Sequence, residues 1–377
     1  MMKQISIFLL WAIFCMAAPV KAQQETPVIP LYFEKENDTT FRFYFNRNYY
    51  LVDKNCPFVQ IQRVITYNLE TKTFHGGFAD IDAQNRVILE GTYQDGLKHG
   101  WFTAYHPNGE IKWEVEYQNN NPVGIWTFYY PDGLPALELN MNPSRGIEVV
   151  NYWKQNGKLG VKKGKGKFEF KLKEKGFSEF GNEYYIRSGR ILNGKPNGRW
   201  QVHLLNPDGS KVRRAVEFYD VGKLTYARDY LQDFEYTYST EFDWYPIEPF
   251  ERAEQFMTKS CTIDDDMDFN TYLTEVFNTW FENTDVALQR FIQLDVKLTI
   301  SDEGKLISID SDSLFDADLH NVLLKQAIRA VPFWYPSYDG QQFITDQLNI
   351  SALAYPSGSG GRSVKFGSLH IRRSKGF

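Results

Sequence analysis

The chain repeats itself. Gly100-Trp101-Phe102-Thr103-Ala104-Tyr105-His106-Pro107-Asn108-Gly109 recurs 24 residues later as Gly124-Ile125-Trp126-Thr127-Phe128-Tyr129-Tyr130-Pro131-Asp132-Gly133. Aligned positions keep Gly, an aromatic, Thr, Tyr, Pro, an amide or acid, and Gly. A third copy follows, because Gly91, Gly96, Gly100 and Phe102 have the spacing of Gly189, Gly194, Gly198 and Trp200. Self-similarity at this period marks a stacked array. Within a unit, Gly91-Thr92-Tyr93 and Trp101-Phe102-Thr103-Ala104-Tyr105 are extended runs, since aromatics and Thr suit a pleated sheet. Asp95-Gly96 and Asn108-Gly109 supply the positive φ of hairpin turns. The array is therefore an antiparallel β-meander. Gly100, Gly124 and Gly198 stand at the start of strands, where Gly marks a close backbone approach or a bend. The large flat side chains cover the face of a single layer.

Over residues 74–221 these Gly-x-Tyr, Gly-x3-Gly and aromatic-x2-Tyr elements resemble divergent MORN repeats of bacterial envelope proteins. The third copy departs from the pattern: Gly198 to Gly209 is two residues longer than Gly100 to Gly109, and Leu204-Leu205 replace the expected Tyr. The resemblance implies a scaffold that contacts membrane or protein, with no catalytic residues. The repeat domain spans 59–239 and follows a β segment over 23–58, in which Phe41-Arg42-Phe43-Tyr44-Phe45 is a strand and Asn46-Arg47-Asn48 a turn. Within 148–181 the repeat is irregular. There Phe168, Phe170 and Leu172 share one face of a strand, and the lysines between Lys158 and Lys175 form a solvated face or a protected edge, the alternative being a basic patch for anionic lipid or polymer.

Residues 1–22 read as a signal peptide. Lys3 is followed by an apolar run from Ile5 to Met16, too short to span a bilayer comfortably, and Val20-Lys21-Ala22 has small residues where cleavage needs them. Retention as an anchor is the alternative. Export places the mature chain in the periplasm or cell envelope and permits a disulfide between Cys56 and Cys261, though spacing leaves the pairing open. The net charge of −5 argues against nucleic acid as a partner.

Tyr245-Pro246-Ile247-Glu248-Pro249 marks a linker over 240–265. Asp264, Asp266, Asp268 and Glu275 have the spacing of a calcium loop, but Phe269 stands where the loop requires Gly, so no metal is assigned and Asp268 reads as a helix N-cap. A second module covers 266–356. A helix begins at Phe269. Ile292-Gln293-Leu294-Asp295-Val296-Lys297-Leu298-Thr299-Ile300 alternates as a strand, Asp302-Glu303-Gly304-Lys305 turns, and 306–309 returns. Residues 316–331 have helical periodicity ended by Pro332, and 343–354 is the last strand. The order is α-β-β-α-β, so the whole chain is mainly β with a small α+β domain.

That order, with Ala330-Val331-Pro332, Phe333-Trp334-Tyr335-Pro336-Ser337 and Asp339-Gly340, resembles the C-terminal domain of TonB. The resemblance implies contact with outer-membrane receptors by addition of a partner strand to the sheet edge. The family's Tyr-Pro-x-x-Ala element is absent, with Asn283-Thr284-Asp285-Val286-Ala287 in its place, and no long rigid spacer precedes the module. Trp334 is expected to plug the gap between helix and sheet. Residues 357–377, with Ser357-Gly358-Ser359-Gly360-Gly361, are expected as a flexible tail.

None of the familiar catalytic motifs is present, and the histidines His75, His99, His106, His203, His320 and His370 are scattered. The chain reads as a non-enzymatic interaction protein without cofactor, whose C-terminal module binds an envelope partner. The second class of contact is lipid or cell-wall polymer, held by the repeats as a structural scaffold. If cleavage follows Ala22, N-terminal sequencing of protein from the envelope fraction begins at Gln23; a mature chain retaining Met1 would make it an anchored protein.

Overall fold

Residues 33–236 form an antiparallel meander in which most strands pair with the strands before and after them. The computed structural model describes residues 30–376, apart from 143–145, 174–176, 179–181, 183, 207, 232, 238–246, 283, 285–287, 289, 311–317 and 358–362. The signal-peptide reading therefore lies outside the described residues. Eighteen strands from Phe33–Lys35 to Phe234–Tyr236 make the first sheet.

The repeat sets its turns. Hairpins closed by Asp82–Arg86, His106–Glu110, Tyr130–Leu134 and Lys154–Lys158 backbone pairs begin 24 residues apart. Neighbouring turns are tied together: Asn108 Nδ2 donates to Pro131 O at 2.7 Å and the Tyr130 hydroxyl to Trp153 O at 2.7 Å. Tight two-residue turns close the other end. Asn193-Gly194 is one, with φ of 52° and 75°, the backbone twist that matches paired strands.

The repeat glycines divide into two roles. Gly100 and Gly124 have φ of +77° and +74° with open space where a Cβ would sit. They bend the chain. Close approach belongs instead to Gly91 and Gly189. A Cβ on Gly91 would lie 2.7 Å from the Phe102 ring, and one on Gly189 would lie 2.2 Å from the Trp200 indole. Each aromatic lies flat over a glycine of the preceding strand, so the third copy repeats the packing of the first despite its departures in sequence.

One continuous apolar core runs along the inner face, from Phe41 through Phe102, Trp113, Trp126 and Trp200 to Ala227. It also encloses a charged pair. Arg63 and Asp80 stand directly opposite on adjacent strands, both fully buried, with paired bonds of 2.7 and 2.8 Å. The guanidinium lies 4.4 Å from the centre of the Phe78 ring. Burial alone would lower the Arg63 pKa, but Asp80 outweighs it and the net shift is upward. The Tyr49 hydroxyl donates to Asp80 at 3.0 Å. Removing one partner would leave a buried charge uncompensated, which costs about 3–5 kcal/mol.

The stretch expected as a linker over 240–265 packs on the repeat core where it is described. From Ile247 to Cys261 it is a strap on the inner face. Phe250, in the short 3-10 helix Phe250–Gln255, is fully buried against Phe102 and Trp113. Glu254 accepts from the Tyr93 hydroxyl at 2.8 Å and from Lys98 Nζ at 3.0 Å, and Glu248 pairs with Lys112. Leu51 and Thr258 form a parallel bridge. Cys56 and Cys261 are joined in a disulfide. The pairing left open by spacing is made because the strap returns residue 261 to the N-terminal strands.

Gly189→Ala should lower the urea-unfolding free energy by about 1–3 kcal/mol, because its methyl must displace a fully buried indole. Unchanged stability would overturn the glycine-on-aromatic register.

Candidate functional site

The C-terminal module is built on a sheet flanked by two helices. In Phe269–Glu282, residues Phe269, Leu273, Phe277 and Phe281 are buried at four-residue intervals. They pack with Leu294, Val296, Leu298 and Ile300 of Ile292–Ile300 and with Leu348, Ile350, Ala352 and Ala354 of Asp346–Ser357. The second helix, Asp318–Ala330, adds Leu324, Ala327 and Ile328. The element order is α-β-β-α-β with further strands after it.

Three motifs distant in sequence meet here. Trp334 is 1% exposed and meets the Phe269 ring edge-on at 6.1 Å. Its backbone N–H donates to Gly304 O at 3.0 Å. A Cβ on Gly304 would lie 2.3 Å from Phe333. The turn after Ile292–Ile300 is thus packed under Phe333-Trp334, and Trp334 is a core residue whose truncation costs about 3–5 kcal/mol.

The tail is not flexible over its described part. Ser363–Phe366 pairs with one end of Asp346–Ser357 and His370–Arg373 with the other. Val364, Phe366, Leu369 and Ile371 are buried. Arg373 forms a buried pair with Asp264, with bonds of 2.9 and 2.5 Å, and donates to Tyr335 O and Ser337 Oγ. Asp346 Oδ2 accepts from Ser337 Oγ at 2.8 Å and from the Ser374 and Lys375 N–H groups at 3.1 Å. The Gly-Ser run of 357–361 suggested mobility, but the apolar residues beyond it bury against the helix and sheet, and that outweighs the cost of ordering them.

These strands occupy one edge of the sheet. The other edge is Leu306–Asp310, which among the described residues pairs only with Ile292–Ile300. Ile307 on it is 60% exposed. An unpaired strand edge presents a row of backbone donors and acceptors to any extended chain.

The acidic run does not converge on a cation. Asp264 faces Arg373, Asp265 accepts from Asn270 and the Ser260 N–H, and Asp266 faces Arg47. Asp268 stands directly before the helix Phe269–Glu282, where its C=O accepts from the Tyr272 N–H at 3.0 Å with a φ of +59°, while its carboxylate meets Asn48 and Lys259. Thr262 caps the short turn Ile263–Asp266, accepting from the Asp265 N–H. Burial raises the Asp264 and Asp266 carboxyls above their ordinary value. Among the described histidines, His106 donates from Nε2 to Tyr129 O and His75 lies beside Asp95. No family model matches the chain, and no curated protein matches it.

Sequence reasoning missed Asp346 and Arg373, whose roles depend on the tail folding back. Alternation in Ser363-Val364-Lys365-Phe366 was the signal available. Burial pushes the Asp346 carboxyl up, but the Lys375 N–H, the Ser337 hydroxyl and the Gln347 and Ser374 N–H groups outweigh it and hold it below the ordinary aspartate value. A depressed carboxyl stabilises the fold above its unfolded pKa, about 3.9, and loses that contribution as pH falls through its folded value. Parent protein should therefore exceed Asp346→Asn in stability by about 1–3 kcal/mol at pH 7. The gap should close as melts are taken to lower pH, below about 4; a gap independent of pH would refute this role.

Proposed function

We propose that the chain is a non-enzymatic interaction protein of the periplasm or cell envelope. A MORN-like repeat scaffold carries a TonB-C-like module that takes up a protein partner, of the outer-membrane receptor class, by strand addition. The observation that carries this reading is the unpaired edge Leu306–Asp310. Natural sheets blunt such edges with Lys, Pro, bulges or covering segments. Here the strand reads Leu-Ile-Ser-Ile-Asp, with one register irregularity near Ile300 and its apolar Ile307 outward. At the opposite end of the sheet the chain's own tail strands cover Asp346–Ser357. Strand addition draws affinity from backbone groups and specificity from alternate side chains.

A second reading, a scaffold holding lipid or cell-wall polymer through the repeats, is favoured by charge. Residues 149–228 carry 18 Lys and Arg against 7 Asp and Glu, whereas 87–148 carry 3 against 8. Lys167, Lys171, Arg190, Arg199, Lys211 and Arg213 lie exposed on the outer face. The strands that carry Arg190, Arg199, Lys211 and Arg213 are paired on both sides, so these cations do not protect an edge.

A photoreactive residue at position 307 should cross-link to an envelope protein in cells. Ile307→Lys, placed at an exposed site, should leave the melt within about 0.5 kcal/mol of the parent and abolish capture by the edge. Adducts that form only from the repeat sheet, and that disappear on charge reversal of Lys167 and Arg190, would replace this reading with the second.

A further inference from the structure

The outer face of the repeat sheet carries opposite charge on its two halves. Glu90, Thr103, Glu114, Thr127 and Glu138 stand directly opposite one another on successive strands and make one row across the sheet. The residue before each of them is buried in the core, so the row lies on the outer face. Its three carboxylates are two strands apart, or about 10 Å. Among the described residues they meet neutral donors and no cation. The Tyr105 hydroxyl donates to Glu90 at 2.5 Å, the Tyr129 hydroxyl to Glu114 at 2.6 Å, and Asn151 Nδ2 to Glu138 at 2.6 Å. Lys98 and Lys112, in the same stretch, turn to the strap on the inner face.

The other half is basic. Arg190, Arg199 and Lys211 are exposed there, and among the described residues none of them has a carboxylate partner. Each half also exposes an aromatic beside a charge. Trp101, 58% exposed, stands opposite Glu116, and Phe218, 37% exposed, stands opposite Arg199. Trp, Phe and Arg are the residues that protein interfaces favour.

This face is complementary to itself under one symmetry operation. Gly146–Trp153 lies between the halves. Counted outward from it, the strands of Glu116 and Arg190 are each third, those of Trp101 and Arg199 each fourth, and those of Glu90 and Lys211 each fifth. A twofold axis along Gly146–Trp153 lays each strand of one copy over its equally distant counterpart in the other. An axis across the strands would set like charge on like charge.

We propose that the protein forms a twofold dimer through this face, the acidic half of one copy lying on the basic half of the other. Such an isologous contact closes after two copies. It sets Trp101 on the strand of the partner's Arg199, which offers the indole a guanidinium to stack on, and Glu116 on the strand of the partner's Arg190. The charges orient the encounter, and the aromatics supply the apolar area that is buried. The dimer covers the cations that a polyanion would otherwise meet. It does not use the edge Leu306–Asp310, which belongs to the other sheet.

Sedimentation equilibrium of the full oxidised chain tests this. The parent should sediment with twice the mass of one chain. Its dissociation constant should rise at least about tenfold between 0.1 and 1 M salt, over which the Debye length falls from about 10 to about 3 Å. Reversal of the acidic half by Glu90→Lys, Glu114→Lys and Glu116→Lys together should give a monomer. Reversal of the basic half by Arg190→Glu, Arg199→Glu and Lys211→Glu together should do the same. An equimolar mixture of the two variants should restore the dimer, because one presents cations on both halves and the other carboxylates on both; that rescue also shows that both variants are folded. Trp101→Ala should weaken the parent dimer about tenfold or more, with an unchanged melt. A monomeric parent, a dimer that survives either reversal, a mixture that does not associate, a Trp101→Ala dimer as tight as the parent, or a dimer abolished by Ile307→Lys would each overturn the assignment.

Discussion

A continuous antiparallel meander has one apolar face, and the rest of this chain is arranged around keeping that face dry. Burial of apolar area is the main favourable term in folding. A sheet whose strands pair only with their sequence neighbours gains no second layer from its own topology. The aromatics solve part of the problem by packing on one another across strands, Phe102 over Gly91 and Trp200 over Gly189. The strap solves another part by laying Phe250, Ala253 and Phe256 along the same core.

The strap is held by polar chemistry as much as by apolar contact. Arg63 and Asp80 pair inside the core; Arg63 Nη1 donates to the Tyr93 hydroxyl at 3.5 Å, which donates to Glu254 on the strap, where Lys98 also ends. Each member of that chain has its partner on a different element, so only one placement of the strap satisfies them all. A buried network of this kind is expensive when half satisfied and specific when complete. The disulfide then closes a loop of 205 residues between the N-terminal strands and the start of the second module.

The second module depends on that arrangement. Phe177, in the irregular middle of the repeats, packs against Phe269, Tyr272 and Phe333 of the module. Thr262, beside the disulfide, caps the turn that carries Asp264 and Asp265. Asp264 in turn anchors Arg373 at the far end of the chain. The tail is therefore part of the domain's closing edge. Its strands occupy one side of Asp346–Ser357, and Leu306–Asp310 ends the sheet on the other.

Much of this was legible in the residues. The 24-residue repeat carries its own hairpin turns, since Asn-Gly and Asp-Gly dictate backbone conformations that few other pairs adopt, and the meander follows from local chemistry alone. Alternation over 292–300 and helical spacing over 269–281 likewise announce their elements. Local pattern could not reveal the pairing of Cys56 with Cys261, the strap or the folded tail. Each of these joins residues about a hundred or more positions apart. Nothing local holds the segments that follow the Gly-Ser run and Pro249; what holds Phe250, Val364 and Phe366 is burial against a core assembled elsewhere. The acidic run is the clearest case. Sequence places Asp264, Asp266 and Asp268 at alternate positions, while the tertiary structure turns each toward a different partner, because a buried carboxylate is stable only beside the cation or donor that folding brings to it.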